Sequence, residues 1–282
     1  MSEGEFRALR DVIREEFGIF YDDGKQFLLQ SRLAVRLAKA GLESFEAYCG
    51  LLRNPRTRDA EIRELTSVLT NNETYFFRER AQLSALAGSV LDELLKERPA
   101  RPLRIWSAAC SSGEEPYSLA ITLMESGRLR EGDFEIYASD VSDRVLALAQ
   151  RGIYQHLSFR ATEPAMLARY FQAVGSEQRL KEAVKRNVRF FRLNLMDAQA
   201  LAGVPEMDAI FCRNVLIYFD RPTQKRVVEA LAPRLTPRGF LFLGHAESLF
   251  HVTDRYEPLL QPDTIVYRRR EKPPSGFAWG NR

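Results

Sequence analysis

Leu103-Arg-Ile-Trp-Ser-Ala-Ala-Cys-Ser-Ser-Gly-Glu-Glu-Pro-Tyr-Ser118 decides the fold of this chain. Leu103 to Trp106 is an apolar run that reads as a buried strand. Small residues, Ala108 to Gly113, make a turn. An amphipathic helix then starts near Glu114 and runs through Leu119, Ile121 and Leu123. Strand, small-residue turn and helix in this order are how α/β folds bring backbone N–H groups up to a nucleoside-like ligand.

Downstream the same rhythm continues. Strands are expected at 103–107, 134–139, 188–193, 208–212 and 239–244, with helices at 114–126, 143–151 and 222–235 between them. Alternation of this kind predicts a mostly parallel sheet covered on both faces. Two further strands, 257–260 and 264–268, flank the turn Gln261-Pro262-Asp263, so one antiparallel strand is expected to close the sheet edge. The rhythm breaks between Tyr154 and Val188, a span longer than a simple crossover needs. An inserted subdomain is expected there, at about 155–191, with a helix at 163–171 and a polar turn at Gly175-Ser176.

Upstream, the first 80 residues show helical spacing and no strand. Helices are expected at 5–17, between Gly24 and Gly41, at 43–53 and at 58–69, with Asn54-Pro55 as a break, and at 82–96. The domain plan is therefore a helical unit at 1–80, an α/β unit at 81–270 carrying the insert, and a loose tail at 271–282 with Pro273-Pro274-Ser275-Gly276.

Composition narrows the class. The 282 residues are 45% hydrophobic, enough for a sizeable core. No apolar run approaches the roughly 20 residues of a membrane helix, so no membrane insertion is expected. Met-Ser-Glu-Gly-Glu at the start lacks the layout of a signal peptide. Cys49, Cys110 and Cys212 are scattered and read as reduced thiols of a cytoplasmic protein. The three histidines lie near no cysteine pair, so no metal site is expected. A net charge of +3 is too weak to argue for nucleic acid, and no such partner is expected.

The ligand is read from the turn and from two strand ends. A dinucleotide fold calls for Gly-x-Gly-x-x-Gly after its first strand, but only Gly113 remains among Ala108, Ala109 and Ser111. That speaks against a pyrophosphate and for a nucleoside without phosphates, such as S-adenosylmethionine; an ordinary strand–helix turn is the equal alternative. Asp140 ends the second strand, where an acid accepts hydrogen bonds from two ribose hydroxyls. The alternative is a helix N-cap, a job that Ser142 or Asp143 can also do. The strand ending at Cys212 runs into Arg213-Asn214, with Tyr218 one helical turn beyond, at the carboxyl end where open sheets bind ligands. Thr70 to Glu79 joins a polar loop to Phe76-Phe77 and Arg78; alone it reads as a capped helix start. In the helix after Gly24, at about 100° per residue, Lys25, Arg32, Arg36 and Lys39 share an arc, with Phe27, Leu33, Ala34 and Leu37 roughly opposite. No acid lies between Gly24 and Leu42, which favours an acidic docking partner slightly over a merely solvated face.

Together these segments resemble the chemoreceptor glutamate O-methyltransferases, the CheR-type family of bacterial chemotaxis. The resemblance is carried by Asn72-Glu-Thr-Tyr-Phe-Phe-Arg-Glu79, Trp106 to Ser118, Ala138-Ser-Asp140, Asn194-Leu195, Phe211-Cys-Arg-Asn-Val-Leu-Ile-Tyr-Phe-Asp220 and Gly244-His-Ala-Glu-Ser248, in order along nearly the whole chain. It implies an N-terminal all-α domain and a Rossmann-like class I methyltransferase sheet with a small inserted β-subdomain. The implied cofactor is S-adenosylmethionine, leaving as S-adenosylhomocysteine.

By the resemblance, Asn72, Thr74 and Arg78 reach over the methionine part of the cofactor. The turn from Ala109 to Glu115 lies beneath it, Glu115 near the amino group. Asp140 grips the ribose, Asn194 and Leu195 border the adenine, and Arg213 and Asn214 complete the pocket. Tyr218 is nearest the transferred methyl, and with Arg78 it orients the incoming carboxylate. The basic helix, Lys25, Arg32, Arg36 and Lys39, docks on the acidic methylation helices of a receptor. The insert is several residues shorter than in members that bind a receptor's C-terminal pentapeptide, so tethering is not expected. Glutamate, with a reference pKa of about 4.3, is already anionic and needs no general base. A methyltransferase acting on RNA or a small molecule, and a non-catalytic cofactor-binding signalling module, are the alternative readings.

Overall fold

The computed structural model describes residues 1–70, 72–96 and 101–271. Apart from Glu271, the expected tail lies outside the described residues.

Four helices open the chain: α1 (Glu3–Phe17), α2 (Gln26–Ala40), α3 (Phe45–Arg53) and α4 (Pro55–Leu69). Ser2 and Glu5 form a capping box that starts α1. Asn54-Pro55 is the expected break between α3 and α4, and α4 starts at Pro55 rather than at 58: the Asn54 side chain accepts from Arg56 N at 3.0 Å, and Pro55 sits where no helical N–H is needed. Phe6, Leu9, Ile13, Leu29, Leu33, Tyr48 and Leu65 close a separate hydrophobic core.

The expected basic docking stripe does not form on the outward face of α2. Arg36 is only 6% exposed. It faces inward, donating to both oxygens of buried Glu61 on α4 at 2.9 and 2.8 Å; Tyr48 donates to the same carboxylate at 2.6 Å. Arg32 donates to the Tyr21 hydroxyl at 3.2 Å and to the Leu69 carbonyl. Lys25 pairs with Asp22 at 3.0 Å, while Lys39 is exposed. The outward face of α2 is largely apolar, with Phe27 79%, Leu28 43% and Val35 48% exposed. A helical arc fixes which residues share a side, but a buried acid on another helix decides which side turns inward. Arg36→Ala is therefore expected to destabilise the helical unit by about 3 kcal/mol, because the buried Glu61 carboxylate keeps its Tyr48 donor but loses its cation. Urea unfolding of the variant measures it.

The rest of the chain builds the sheet. Helix α5 (Arg80–Ala85) passes through a π turn, kinked at Gly88, into α6 (Leu91–Lys96). Then come β1 (Leu103–Ala108), α7 (Glu114–Glu125), β2 (Phe134–Asp140), α8 (Asp143–Arg151), β3 (Ile153–Tyr154), α9 (Pro164–Tyr170), β4 (Phe171–Val174), β5 (Glu177–Leu180) and α10 (Glu182–Lys185). They are followed by β6 (Val188–Arg192), α11 (Ala198–Ala202), β7 (Met207–Cys212), α12 (Arg221–Leu231), β8 (Leu235–Leu243), β9 (Tyr256–Gln261) and β10 (Thr264–Arg269). The main sheet has the order β6-β2-β1-β7-β8-β10-β9. Strands β6, β2, β1, β7 and β8 are parallel neighbours, and β10 is antiparallel to both β8 and β9. The antiparallel strand expected at the edge is thus one place in from it. β10 returns through the tight turn and inserts between β8 and β9, leaving β9 outermost.

Alternation along the strands gives the sheet two cores. Ile105, Ile136, Phe211 and Phe242 face α5 and α7, with Phe211 and Phe242 stacked at 4.1 Å. Trp106, Ile210 and Leu241 face Val227 and Leu231 of α12. The insert is a second sheet of order β3-β5-β4 with α9 and α10. It starts at Ile153, and β6 already belongs to the main sheet, so the expected limits 155–191 shift toward the N-terminus. Phe76 and Phe77 also pack in the core of the sheet, so by packing the 72–79 segment goes with the α/β unit and not with the helices.

The two units are stitched together where α1 ends. Gly18 at φ +73° caps α1, and an added Cβ would lie 2.6 Å from Met196 Sδ. Ile19 bridges to Phe219, Phe20 N donates to the Tyr218 carbonyl at 2.8 Å, and Asn194 Nδ2 donates to the Glu16 carbonyl at 2.6 Å.

Candidate active site

Four parallel strands end in one pocket. Ala109 follows β1, Asp140 ends β2, Leu193 to Leu195 follow β6, and Arg213 and Asn214 follow β7. The strand order runs outward in opposite directions from β1 and β7, and such switch points open a crevice at the strands' carboxyl ends. Asn72, Thr74, Arg78, Glu115 and Tyr218 line the same pocket, so every residue expected at the cofactor or the methyl is brought to it. None of Lys25, Arg32, Arg36 and Lys39 lines it.

The turn after β1 reaches unusual backbone conformations despite its missing glycines. Ala109 has φ +74°, Ser111 +49° and Gly113 +95°. Left-handed backbone costs a non-glycine residue about 1–2 kcal/mol. Two hydrogen bonds offset it: Ala109 N and Cys110 N both donate to the Ser139 carbonyl at 2.8 Å. The retained glycine is needed for packing against α8, since a Cβ on Gly113 would meet Ala149 Cβ at 2.8 Å.

Asp140 is 7% exposed and accepts from Ser111 N at 2.9 Å and Ser142 N at 3.0 Å. Each oxygen takes one donor and keeps acceptor capacity for a second. Ser142 is the N-cap residue of α8, so Asp140 is not the cap. Burial, opposed by those backbone donors, raises the Asp140 carboxyl above the ordinary aspartate range.

Below the pocket lies a buried ionic cluster. Arg213, its side chain 2% exposed, contacts Glu115 at 2.9 Å and Glu79 at 3.2 Å, and donates to the Arg78 carbonyl at 2.9 Å. Ser107 Oγ also donates to Glu115, at 2.6 Å. Burial pushes the Glu115 carboxyl up, and Arg213 and Ser107 pull against it. Two carboxylates share one guanidinium, so the cluster carries net negative charge. That suits a ligand with an ammonium and a sulfonium, and Glu115 is the member that lines the pocket.

The 72–79 segment is held from below and from the insert. Phe76 stacks on Phe159 at 5.3 Å and meets Phe171 and Tyr154 edge-on, and its N–H donates to the Ser158 carbonyl at 2.9 Å. Phe77 N donates to Ser118 Oγ at 2.9 Å. Arg160 of the insert sits 3.7 Å over the Tyr75 ring and donates to Glu73 at 2.7 Å. Arg78 bonds the Glu73 carbonyl at 3.1 Å. The Asn194 side chain, expected at the adenine, is engaged with Glu16 and with Met196 N at 3.0 Å, so it borders the pocket while tying the two units together.

Sequence reasoning missed Glu79, Ser107 and Ser118. Glu79 ends the 72–79 motif with no local feature that gives it a role. Its tie to Arg213 spans too much chain for any local pattern, and its left-handed backbone, φ +55°, leaves no mark in composition.

The all-alpha domain of CheR methyltransferases matches residues 4–70, and their SAM binding domain matches residues 72–265. The chain is 38% identical over 256 residues to chemotaxis protein methyltransferase 2 of Vibrio cholerae, covering 90% of this chain and 88% of that one. It is 37% identical over 277 residues to the chemotaxis protein methyltransferase of Klebsiella aerogenes, covering 96% and 92%. It is 36% identical over 260 residues to that of Escherichia coli K12, covering 91% and 88%. With the helical unit, the sheet and the pocket at its strand ends all matched, the chain belongs to the CheR methyltransferase family.

Proposed function

We propose that this protein transfers a methyl group from S-adenosylmethionine to glutamate side-chain carboxylates of bacterial chemoreceptors. One observation carries the reading: Asp140, Glu115 above its Arg213 partner, and Tyr218 line a single pocket at the carboxyl ends of parallel strands. In it Asp140 holds the ribose hydroxyls and Glu115 faces the ammonium. Asn72, Thr74 and Arg78 hold the methionine end, Ala109 lies beneath it, Asn194 and Leu195 border the adenine, and Asn214 completes the wall. Bound there, S-adenosylmethionine supplies an electrophilic methyl. Arg78 and Tyr218 orient the acceptor carboxylate toward it.

A carboxylate is anionic at neutral pH, so no general base is required. Placing oxygen, methyl and sulfur in line can supply roughly 7–11 kcal/mol of the barrier. Transfer of labelled methyl from S-adenosylmethionine to a receptor cytoplasmic fragment tests the reading, with Glu→Gln receptor fragments as controls. Labelling that ignores the Glu→Gln changes overturns it.

Docking is proposed on α2, with its chemistry revised. Phe27, Leu28 and Val35 face outward between Lys25 and Lys39, a surface suited to an amphipathic acidic helix such as a receptor's methylation helix. Phe27→Ser combined with Val35→Ser is expected to lower kcat/KM for the receptor fragment about thirtyfold, two exposed apolar side chains each contributing on the order of 1 kcal/mol in an interface. Calorimetry should find cofactor affinity unchanged. The reading includes cytoplasmic action; among the described residues no helix is long and apolar enough to cross a membrane. Direct docking, without a C-terminal receptor pentapeptide on the short insert, completes the proposal.

A further inference from the structure

The motif Gly244-His-Ala-Glu-Ser248 lies beyond β8 and contributes nothing to the pocket lining, yet its acid reaches the turn that carries Tyr218. Glu247 Oε2 accepts from Asn214 N at 2.8 Å and from Gly244 N at 2.6 Å. Its Oε1 accepts from Val215 N at 2.9 Å and from Ile217 N at 3.2 Å. These donors lie outside regular strand and helix pairing. Asn214 is left-handed at φ +58°, and the chain tightens into a single 3-10 turn over Leu216–Tyr218. Only an ionised carboxyl offers acceptor sites for four N–H groups with no donor of its own. The approach is close: a Cβ on Gly244 would stand 2.8 Å from Glu247 Oε2 and 2.6 Å from Asn214 Nδ2.

We propose that Glu247 is a positioning residue for methyl transfer, its carboxylate pinning the turn from Asn214 to Ile217 so that Tyr218 faces the transferred methyl. The proposal rests on the reading of Tyr218 given above. Glu247 does not line the pocket, so it acts on the chemical step through Tyr218, while the cofactor is held by the pocket's own side chains, Asp140 and Glu115 foremost. Gln at this position keeps the shape but turns an amide NH2 toward two of the four N–H groups.

Glu247→Gln and Tyr218→Phe are compared with a receptor cytoplasmic fragment as acceptor. Glu247→Gln is expected to lower kcat by about tenfold or more, since a misplacement of about 1 Å can cost a hundredfold. Its KM for the fragment and its calorimetric Kd for S-adenosylmethionine should stay within about threefold, a split that general loosening does not give. A smaller fall in kcat, with Tyr218→Phe impaired, overturns the role of Glu247. A cofactor Kd that weakens in step with kcat also overturns it, making Glu247 part of the pocket's scaffold. Normal turnover in Tyr218→Phe overturns the reading of Tyr218, and the positioning role with it. Should Glu247→Gln not fold, amide hydrogen exchange in the unaltered protein decides: slow exchange at Asn214, Val215, Ile217 and Gly244 supports the pin, and exchange at the rate of open loops overturns it.

Discussion

Asp140→Ala is expected to weaken S-adenosylmethionine binding by about a hundredfold or more, because hydrogen bonds to a charged acceptor contribute roughly 1.5–3 kcal/mol each and two are lost. The loss has a second source. Asp140 also accepts from Ser111 N and Ser142 N, and so holds the left-handed turn against the end of β2. Without it, two N–H groups need new partners and the pocket floor loses its anchor. Asp140→Asn keeps one acceptor oxygen and should lose less. Isothermal titration of both variants, with circular dichroism as the check on folding, measures the effect. An unchanged affinity in Asp140→Ala removes the ribose assignment.

The second large effect is on stability. Arg213→Ala leaves the largely buried Glu115 and Glu79 without their shared cation, and breaking a buried ion pair from one side costs about 3–5 kcal/mol. At about 2–4 °C per kcal/mol for a domain of 150–250 residues, the melting midpoint should fall by about 6–20 °C. The variant also carries a pH signature. Burial already raises the Glu115 carboxyl, and Arg213 is among the groups that lower it. With the guanidinium gone, the folded-state pKa rises further above the unfolded value. The folded state then binds the extra proton. Stability is fully present below the unfolded glutamate value and is lost as pH rises through the folded one. Arg213→Ala should therefore regain more stability on mild acidification than the intact protein, whose Glu115 carboxyl is raised less. Adding Glu115→Gln should restore part of the loss at neutral pH. Thermal scans across pH distinguish this from simple loss of packing, which shows no such slope.

Both effects arise at residues that were legible in the sequence, and the reason is local. The apolar runs of β1, β2 and β7 mark buried parallel strands, and whatever follows such a strand stands at the pocket. Asp140, Arg213 and Asn214 follow from that rule alone. What could not be read depends on pairs distant in the chain. Arg36 looked like a docking cation because its partner Glu61 sits on another helix. The place of β10 follows from how the hairpin inserts against β8, and two adjacent strand patterns do not encode it. Glu79 and Ser107 act only through Arg213 and Glu115, so neither has a signature of its own. Even the turn after β1 was half legible: its residue types pointed away from a pyrophosphate, but its left-handed backbone at Ala109 and Ser111 had no trace in composition.

The stitching of Ile19 and Phe20 to Phe219 and Tyr218 bears on how helical units can be exchanged within the family. The helical unit is not a cartridge that can be swapped at the end of α4. Its α1–α2 connection supplies the backbone partner of the very turn that carries Tyr218, and the Glu16 carbonyl takes up the Asn194 amide. A chimera that exchanges residues 1–70 alone pairs one relative's connection with another's turn. One that carries 214–220 along with it preserves the contact. Under the docking proposed for α2, target choice and chemistry are mechanically one module, and they should be inherited together.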